Sequence, residues 1–233
     1  MDKTKAMITT RRKIRKPEYF EMETQNMEIV NQFKYLGCSL TEDNEEINEI
    51  RKRIHAANKT YAALTNIFKT RDNHRQTKIT LYMGIIRPVI TYGSETWTLN
   101  KRTSNIINTF ERKILRRIYG PVQEDGMWRI RYNTELYRLY NNNDISTTIQ
   151  LQRLQWAGHI IRMEESRIPK KILFSQIEGR RPVGKPRDRW IDAVTRDANT
   201  LLNTKRWKTI AKDRTKWRQL IKEAKARLRA VTP

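Results

Sequence analysis

The spacing of apolar residues changes along the chain from short aromatic runs to long helical stripes. An aromatic run that ends at Gly37 predicts a short strand followed by a turn, and therefore an N-terminal β-hairpin. From Asp43 to Phe68, apolar residues recur at alternating steps of three and four, which predicts an amphipathic helix. Asp43 and Glu46 have the spacing of a capping box and mark its start. The apolar face of this helix consists of Ile47, Ile50, Ile54, Ala57, Tyr61, Leu64 and Phe68.

Two more helices with the same periodicity follow. The second begins at Asn73, and we expect it to stop near Arg87 because a proline at position 88 disfavours helical backbone in the residue before it. The third runs from about Thr103 to Gly120, where Gly-Pro forms a C-terminal stop signal. The apolar positions are Ile79, Tyr82, Met83 and Ile86 in the second helix, and Ile106, Ile107, Phe110, Ile114, Leu115 and Ile118 in the third.

The pattern beyond residue 120 predicts a domain boundary or a loosely packed connection, and then a second helical region. Gly126 and the run of asparagines before Asp144 place the connection at 121–148. A helix begins near Ser146, a loop rich in glycine, proline and arginine covers 178–187, and a helix capped by Asp188 follows, with a last helix around Trp217. The predicted fold is therefore mainly α. It has a small N-terminal β-hairpin in 1–44, a three-helix bundle in 45–120 and a second, basic helical domain in 149–233.

The charge of the chain changes what these helices can be expected to bind. Of the 233 residues, 48 are Lys or Arg and 25 are Asp or Glu, which gives a net charge of +23. The excess is +1 in 1–44, +9 in 45–120 and +13 in 121–233. A surplus of this size marks a surface that meets polyanions, so nucleic acid is the first partner to test.

Several classes of protein are excluded by the same composition. A single cysteine, Cys38, allows neither an internal disulfide framework nor a Cys-rich zinc site, and the three histidines are too scattered to act as metal ligands. No stretch approaches the roughly 18 apolar residues of a membrane span, and the first residues lack the apolar core of a signal peptide. We therefore expect a protein that is neither secreted nor membrane-spanning, with no metal site of its own.

Five sequence blocks occur in an order and spacing that resemble one known family, the reverse transcriptases of non-LTR (LINE-type) retrotransposons. The likeness covers nearly the whole chain. The blocks are Phe33-Lys34-Tyr35-Leu36-Gly37, Arg87-Pro88-Val89-Ile90-Thr91-Tyr92-Gly93-Ser94-Glu95-Thr96-Trp97, Arg153-Leu154-Gln155-Trp156-Ala157-Gly158-His159-Ile160-Ile161-Arg162-Met163, Gly184-Lys185-Pro186-Arg187 with Trp190, and Ala211, Asp213 and Arg214 with Trp217 and Arg218.

The resemblance implies the end of the palm with its primer grip in 1–44, the thumb in 45–120 and a basic C-terminal domain. Such a segment would bind RNA and DNA as a template–primer, through backbone contacts that are independent of sequence. The implied location is the nucleus, or the cytoplasm as a ribonucleoprotein. No small-molecule substrate is expected.

Catalysis is where the chain departs from the family. A polymerase needs carboxylates that hold two Mg²⁺ ions, and the family supplies them partly through an adjacent Asp pair. This sequence contains no adjacent Asp pair. We therefore expect a fragment that is inactive alone, with Mg²⁺ belonging to the complete polymerase. Two alternatives stay open: a truncated gene model of an active enzyme, and a retrotransposon piece reused as a DNA-binding or interaction protein.

The predicted nucleic-acid contacts fall in three groups. In the hairpin, Lys34 would approach phosphate while Phe33 and Tyr35 pack, although an ordinary hairpin with both rings in the core fits the same pattern. In the bundle, basic residues on solvated faces would contact a duplex backbone, or would simply be solvated. The loop at 180–187 would lie along a groove, act as a linker, or form a nuclear-import signal together with the basic run at 11–16. The candidates are Lys5, Arg51, Lys52, Arg53, Arg112, Lys113, Arg116, Arg117, Arg180, Arg181, Lys185 and Arg187.

Aromatic residues in the C-terminal half allow two interpretations. Trp156, Trp190, Trp207 and Trp217 could stack on unpaired bases, but tryptophans at helical spacing are more often anchors of a core. We expect core anchors, and we expect His159 to be a packed or capping residue.

Overall fold

The computed structural model describes residues 4–9, 17–22, 25–70, 72–175, 184 and 188–231. Its contacts divide the chain into two compact units, Met1–His55 and Ala56–Pro233. The fold is mostly helical, with small antiparallel strand pairs near the N-terminus, which confirms the predicted fold class. The predicted functional division at residues 44, 120 and 148 stays a prediction.

The N-terminal unit contains two β-hairpins. Strands β1 (Tyr19–Met22) and β2 (Gln25–Glu28) form one pair, and β3 (Gln32–Tyr35) and β4 (Cys38–Thr41) form the other. Leu36 and Gly37 join β3 to β4 with φ angles of 46° and 81°, so both residues of this two-residue turn lie in the left-handed region. The hairpin predicted from the aromatic run is confirmed.

The first predicted helix is divided into two. Helix α1 (Glu46–Ala63) and helix α2 (Thr65–Lys69) are separated at Leu64. The hydroxyls of Thr60 and Thr65 donate to the backbone carbonyls of Ala56 and Tyr61, four residues earlier, and such bonds bend helices. The amphipathic pattern could not reveal the break because the buried positions on both sides, Ala57 and Phe68 among them, keep their spacing.

The predicted stop at Arg87 is wrong. Helix α3 (Arg75–Leu81) runs into a π-helical turn at Tyr82–Ile86 and continues as α4 (Arg87–Thr91). The Arg87 N–H donates to the carbonyl of Tyr82, five residues back, which places Pro88 in the first turn of α4. A proline is tolerated there because its missing N–H has no helical partner to lose. The chain leaves the helix only at Tyr92–Gly93, where Gly93 has φ 69°.

Helix α5 (Lys101–Tyr119) agrees with its prediction at both ends. The Asn100 side chain accepts from the Thr103 N–H and the Thr103 hydroxyl accepts from the Asn100 N–H, each at 2.9 Å, which forms a reciprocal cap. Gly120, with φ 71°, ends the helix.

The stretch 121–148 is folded rather than loosely packed. Strands β5 (Val122–Glu124) and β6 (Met127–Arg129) form a hairpin, and helix α6 (Asn133–Tyr140) follows with several buried side chains. Helix α7 (Ile145–Ile161) comes next, and the Asp144 carboxylate caps its first turn. Four more helices follow α7 within the described residues. They are α8 (Ile168–Phe174), α9 (Trp190–Leu201), α10 (Trp207–Ile210) and α11 (Arg214–Val231).

Helix α7 lies at the centre of the C-terminal unit. It packs against α4, α5, α9, α11 and the 3₁₀ turn Ser94–Thr96, so its buried residues are spread around most of the helix, while Gln155 and His159 are exposed. The core around it contains Leu151, Leu154, Ala157, Ile161, Val194, Ala198, Trp207, Trp217 and Ile221. Within the described ranges, no helix combines the length and apolar content needed to cross a bilayer.

Candidate nucleic-acid interface

The sequence blocks at 87–97, 153–163 and 211–218 meet in the folded C-terminal unit, together with Trp190 of the fourth block. Arg153 is completely buried; its Nε donates to the Asp197 carboxylate at 2.8 Å, and its other nitrogens donate to the same carboxylate and to the carbonyl of Trp97. The indole N–H of Trp190 donates to the Glu95 carbonyl at 2.9 Å. Side chains from the third and fourth blocks therefore bind backbone of the second block.

The last block is joined to α7 in the same manner. The indole N–H of Trp217 donates to the Leu154 carbonyl at 3.1 Å, and Arg162 donates to the Ala211 carbonyl at 2.6 Å. A Cβ atom at Gly158 would lie 2.1 Å from Trp217 Nε1, so only glycine leaves room for the indole. Arg153, Gly158, Trp190 and Trp217 are thus explained by packing and hydrogen bonding within the fold.

Arg87 belongs to a second buried polar cluster. Its guanidinium donates to the carbonyl of Asn143 at 2.8 Å and to the hydroxyl of Thr148 at 2.6 Å, and its Nε lies 3.8 Å from Glu111 Oε1. The Glu111 carboxylate also accepts from Tyr82, Tyr137 and the Ile145 N–H.

Burial raises the pKa of Glu111, and the nearby Arg87 guanidinium opposes this effect. The cluster joins α4, α5, α6 and the start of α7, and its members are inaccessible to a macromolecular partner.

The predicted contacts in the N-terminal unit lie on or beside the second hairpin. Lys34, Tyr35 and Leu36 are exposed and Phe33 is half-buried, so the expectation of both aromatic rings in a core does not hold for Tyr35. Gly37 lies in the turn, and its carbonyl accepts from Arg53.

The remaining basic candidates of this unit differ in their surroundings. Arg51 is exposed, and Lys52 donates to the Ser39 hydroxyl at 2.8 Å. Arg53 is anchored by Glu49 at 2.6 Å, and Lys5 forms an ion pair with Glu28. Arg51 and Lys34 are the side chains most open to a phosphate, and their binding role stays a prediction.

The α5 candidates also differ. Lys113 and Arg117 are exposed, and the Arg117 guanidinium lies 5.9 Å from the Tyr61 ring centroid. Arg112 donates to the Thr109 hydroxyl, whereas Arg116 donates to the Asn133 side chain at 2.7 Å and so supports the start of α6. Arg180, Arg181, Lys185 and Arg187 lie outside the described residues, so the groove, linker and import interpretations of that loop stay predictions.

The structure adds a basic surface on α11 that the charge count did not locate. This helix carries seven basic residues and one acidic residue. At 100° per residue, five of the seven lie within an arc of about 80° on one side of the buried face, whereas Lys216 and Arg227 lie on the other side. We call this surface the α11 flank; it consists of the exposed residues Arg214, Arg218, Lys222, Lys225 and Arg229.

Helix α11, which carries the flank, is fixed to the protein by its buried face and capped at its first turn. Trp217, Ile221 and Ala224 bury the adjoining face, and Asp213 caps the first turn by accepting from the N–H groups of Thr215 and Lys216. A groove beside the flank is lined by Arg214, Thr215, Arg218, Gln219 and Lys222. Burial lowers the pKa of Arg162, and the charge of Arg214 lowers it further.

The four tryptophans expected to anchor the core differ in their burial. Trp207 and Trp217 are buried anchors, which confirms the core interpretation for these two, while Trp156 and Trp190 are half-buried. His159 is exposed beside the Trp156 ring in the last turn of α7, so it is not packed in the core, and its role as a capping residue stays a prediction. The most exposed tryptophan is Trp128, in β6, which the helical patterns gave no reason to single out.

The chain is similar to a transposon-derived protein. No family model matches the chain, and no solved structure gives a significant match. A Caenorhabditis elegans protein, whose name describes it as uncharacterised and transposon-derived, is 29% identical over 207 residues, which cover 85% of this chain and 73% of the relative. This similarity supports a transposon-derived origin for the chain.

Proposed function

We propose that this chain is a nucleic-acid-binding segment of a non-LTR retrotransposon reverse transcriptase, which holds a template–primer duplex through sequence-independent backbone contacts. The transposon-derived relative, the ordered sequence blocks and the net charge of +23 support this proposal. The observation that carries it is the α11 flank, because it is a row of solvated cations on a rigid helix.

The geometry of the flank fits a duplex backbone. From Arg214 to Arg229 the helix rises about 22 Å, at 1.5 Å per residue, which is shorter than the roughly 34 Å of one turn of duplex. Cations that bind phosphates release counterions, and the affinity then falls with salt by about 0.9 in logarithmic slope for each phosphate neutralised. Because the apolar face of α11 is buried in the protein, the helix cannot instead insert that face into a lipid surface.

Catalysis is not part of the proposed role. The sequence contains no adjacent Asp pair, so in this proposal Mg²⁺ and its carboxylates belong to the complete polymerase and the fragment alone is inactive. The hairpin Gln32–Thr41 would serve as the primer grip, with Lys34 facing phosphate. The proposed site of action is the nucleus, or a cytoplasmic ribonucleoprotein.

The decisive experiment compares two double variants of the same helix. Arg218→Gln/Lys222→Gln removes two charges from the flank, and Lys216→Gln/Arg227→Gln removes two from the opposite side. We expect the wild type to bind a mixed-sequence duplex with a salt slope of about −4.5, and the flank variant to lose about 1.8 of that slope. The control variant should keep the wild-type slope.

The outcomes separate the rival functions. Equal slopes for the two variants would remove the flank from the interface, and absence of duplex binding at low salt would overturn the nucleic-acid role. Strong preference for one duplex sequence would favour a reused DNA-binding protein. Extension of a primed RNA template by the purified chain would contradict the proposed inactivity. Thermal unfolding of both variants checks that Arg227, which donates to the Leu201 carbonyl, is not needed for folding.

A further inference from the structure

The β5–β6 hairpin presents large apolar side chains to solvent. Met127, Trp128, Ile130 and Tyr132 have exposed fractions of 74%, 69%, 71% and 63%, within six consecutive positions. Single exposed apolar residues are normal on protein surfaces, whereas several within one short segment point to an interaction site. This hairpin is therefore a candidate interface separate from the α11 flank.

The exposed side chains stand on a rigid support. Asp125 and Gly126, with φ angles of 50° and 81°, close the hairpin in a two-residue turn. Arg129 forms ion pairs with Glu124 across the hairpin and with both oxygens of Glu135 on α6, at 2.7 and 2.9 Å.

The start of β5 and the end of β6 are held as well. Arg131 donates to the Gly120 carbonyl at the end of α5 at 3.1 Å, and Arg116 of α5 donates to the Asn133 side chain at 2.7 Å. The hairpin is thus fixed to both neighbouring helices, which lowers the entropy cost of binding through it.

The two faces of the hairpin have different chemistry. Trp128 pairs with Gln123, and alternation along the strand places both on the face opposite Met127 and Arg129. Ile130 follows directly after β6. Arg129 and Glu124 belong to the opposite side, where their ion pair and the contact to Glu135 form the anchor. One face therefore serves for attachment, and the other offers the Trp128 indole to a partner.

The charge around the hairpin indicates what that partner is. Between 112 and 138 the chain has seven basic and three acidic residues, and two of the acidic residues, Glu124 and Glu135, are already paired with Arg129. Lys113, Arg117 and Arg138 are exposed on the helices to which the hairpin is attached. An aromatic face in a cationic setting fits a ligand with flat rings and negative charge, as in unpaired nucleotides.

We propose that the β5–β6 hairpin is a stacking platform for unpaired nucleotides, with Trp128 stacking on a base. The proposal rests on the proposed nucleic-acid-binding function and adds single-stranded nucleic acid as a ligand of a second surface. Every base has a π-face, so the platform is tolerant of sequence. Ile130, directly after β6, adds exposed apolar surface, and nearby arginine and lysine side chains meet the phosphates.

The test measures two affinities for each variant. Trp128→Ala removes the platform, Trp128→Phe keeps an aromatic ring, and Tyr92→Ala removes an exposed aromatic residue outside the hairpin. The probes are a short fluorescein-labelled oligothymidylate and a mixed-sequence duplex of the same length. Loss of one stacked base weakens binding by about tenfold.

We expect Trp128→Ala to bind the single strand about tenfold more weakly and the duplex as the wild type does. Trp128→Phe should lie between the two, and Tyr92→Ala should match the wild type. All six tryptophans lie in the described ranges, and Trp128 is the exposed one. Binding of oligothymidylate should therefore also quench the red-shifted part of the tryptophan emission. This quenching should be absent in Trp128→Phe.

Unchanged single-strand affinity in Trp128→Ala would overturn the platform, and so would an equal loss of single-strand and duplex binding. In the first case the wild type still binds duplex, so the proposed function survives. If the wild type binds neither probe at low salt, the proposed function itself fails.

Discussion

Arginine serves two different purposes in the C-terminal unit. Arg87 and Arg153 are buried and are bound by carboxylates, carbonyls and hydroxyls of neighbouring elements. Arg214 and Arg218, on the α11 flank, are exposed to solvent. A buried guanidinium must be paired because its desolvation is costly, whereas a cation that binds phosphate must stay accessible. The net charge of the chain therefore overstates the charge available to a partner.

The buried arginines also show what two of the sequence blocks do in the fold. Arg87 and Arg153 begin the two longest of the sequence blocks. In the structure both residues hold helices together. The α11 flank lies mostly outside the blocks, and it presents the accessible charge.

The largest expected effect comes from breaking the buried pair at α7 and α9. Arg153→Gln leaves the Asp197 carboxylate buried without its counter-charge, and we expect a loss of about 3–5 kcal/mol in the free energy of unfolding, measured by urea denaturation. Arg218→Gln on the flank is the matched control and should change it by less than about 0.5 kcal/mol.

A double variant sharpens this prediction. Arg153→Met/Asp197→Leu removes both charges together and should recover most of the stability, because a buried ion pair can be replaced by apolar groups at little cost. If Arg153→Gln and Arg218→Gln were equally stable, the distinction between buried and accessible arginines would be wrong.

The second effect concerns Arg87 and has a pH dependence. Arg87→Met should cost about 2–3 kcal/mol at neutral pH, because Glu111 loses its cation while three donors still bind its carboxylate. The folded-state pKa of Glu111 is already raised by burial and should rise further.

The sign of this dependence follows from proton binding. A raised pKa means that the folded state binds the proton more tightly than the unfolded state does. The stability that Glu111 contributes through this tighter proton binding is therefore fully present below the unfolded-state pKa of about 4.3. It is lost as the pH rises through the folded-state pKa. Urea denaturation from pH 4 to pH 8 should show a steeper loss for Arg87→Met than for the wild type; parallel curves would contradict the prediction.

The smallest effect lies at the anchor of the β5–β6 hairpin. The Arg129 guanidinium lowers the pKa of Glu135 to about 2, which is the sign expected for an accessible carboxylate with a close cation. The stabilisation from the Arg129–Glu135 ion pair is present above the usual carboxyl pKa of about 4.3 and is lost as the pH falls through about 2.

The carboxyl carbon of Glu135, observed by NMR, reports this titration. Arg129→Gln should move its midpoint back toward about 4.3, and Arg218→Gln should leave it unchanged. A wild-type midpoint near the usual value would show that Arg129 does not hold the hairpin to α6.

Local signals predicted several elements well, for reasons visible in the structure. The ends of α5 depend on Asn100 and Gly120, whose effects act within one turn. The Leu36–Gly37 turn likewise depends on its own residues and on the strands that flank it. Pro88 does not end the helix because the effect of a proline depends on backbone register, and the π-helical turn at Tyr82–Ile86 changes that register.

The sequence alone determined the fold class, the N-terminal hairpin, most helices and the excess of positive charge, because periodicity, capping and composition are properties of neighbouring residues. Only the tertiary structure decided which arginines are buried, that the blocks bind one another around α7, and that Trp128 faces solvent. Burial depends on what distant segments cover, and no local pattern contains that information.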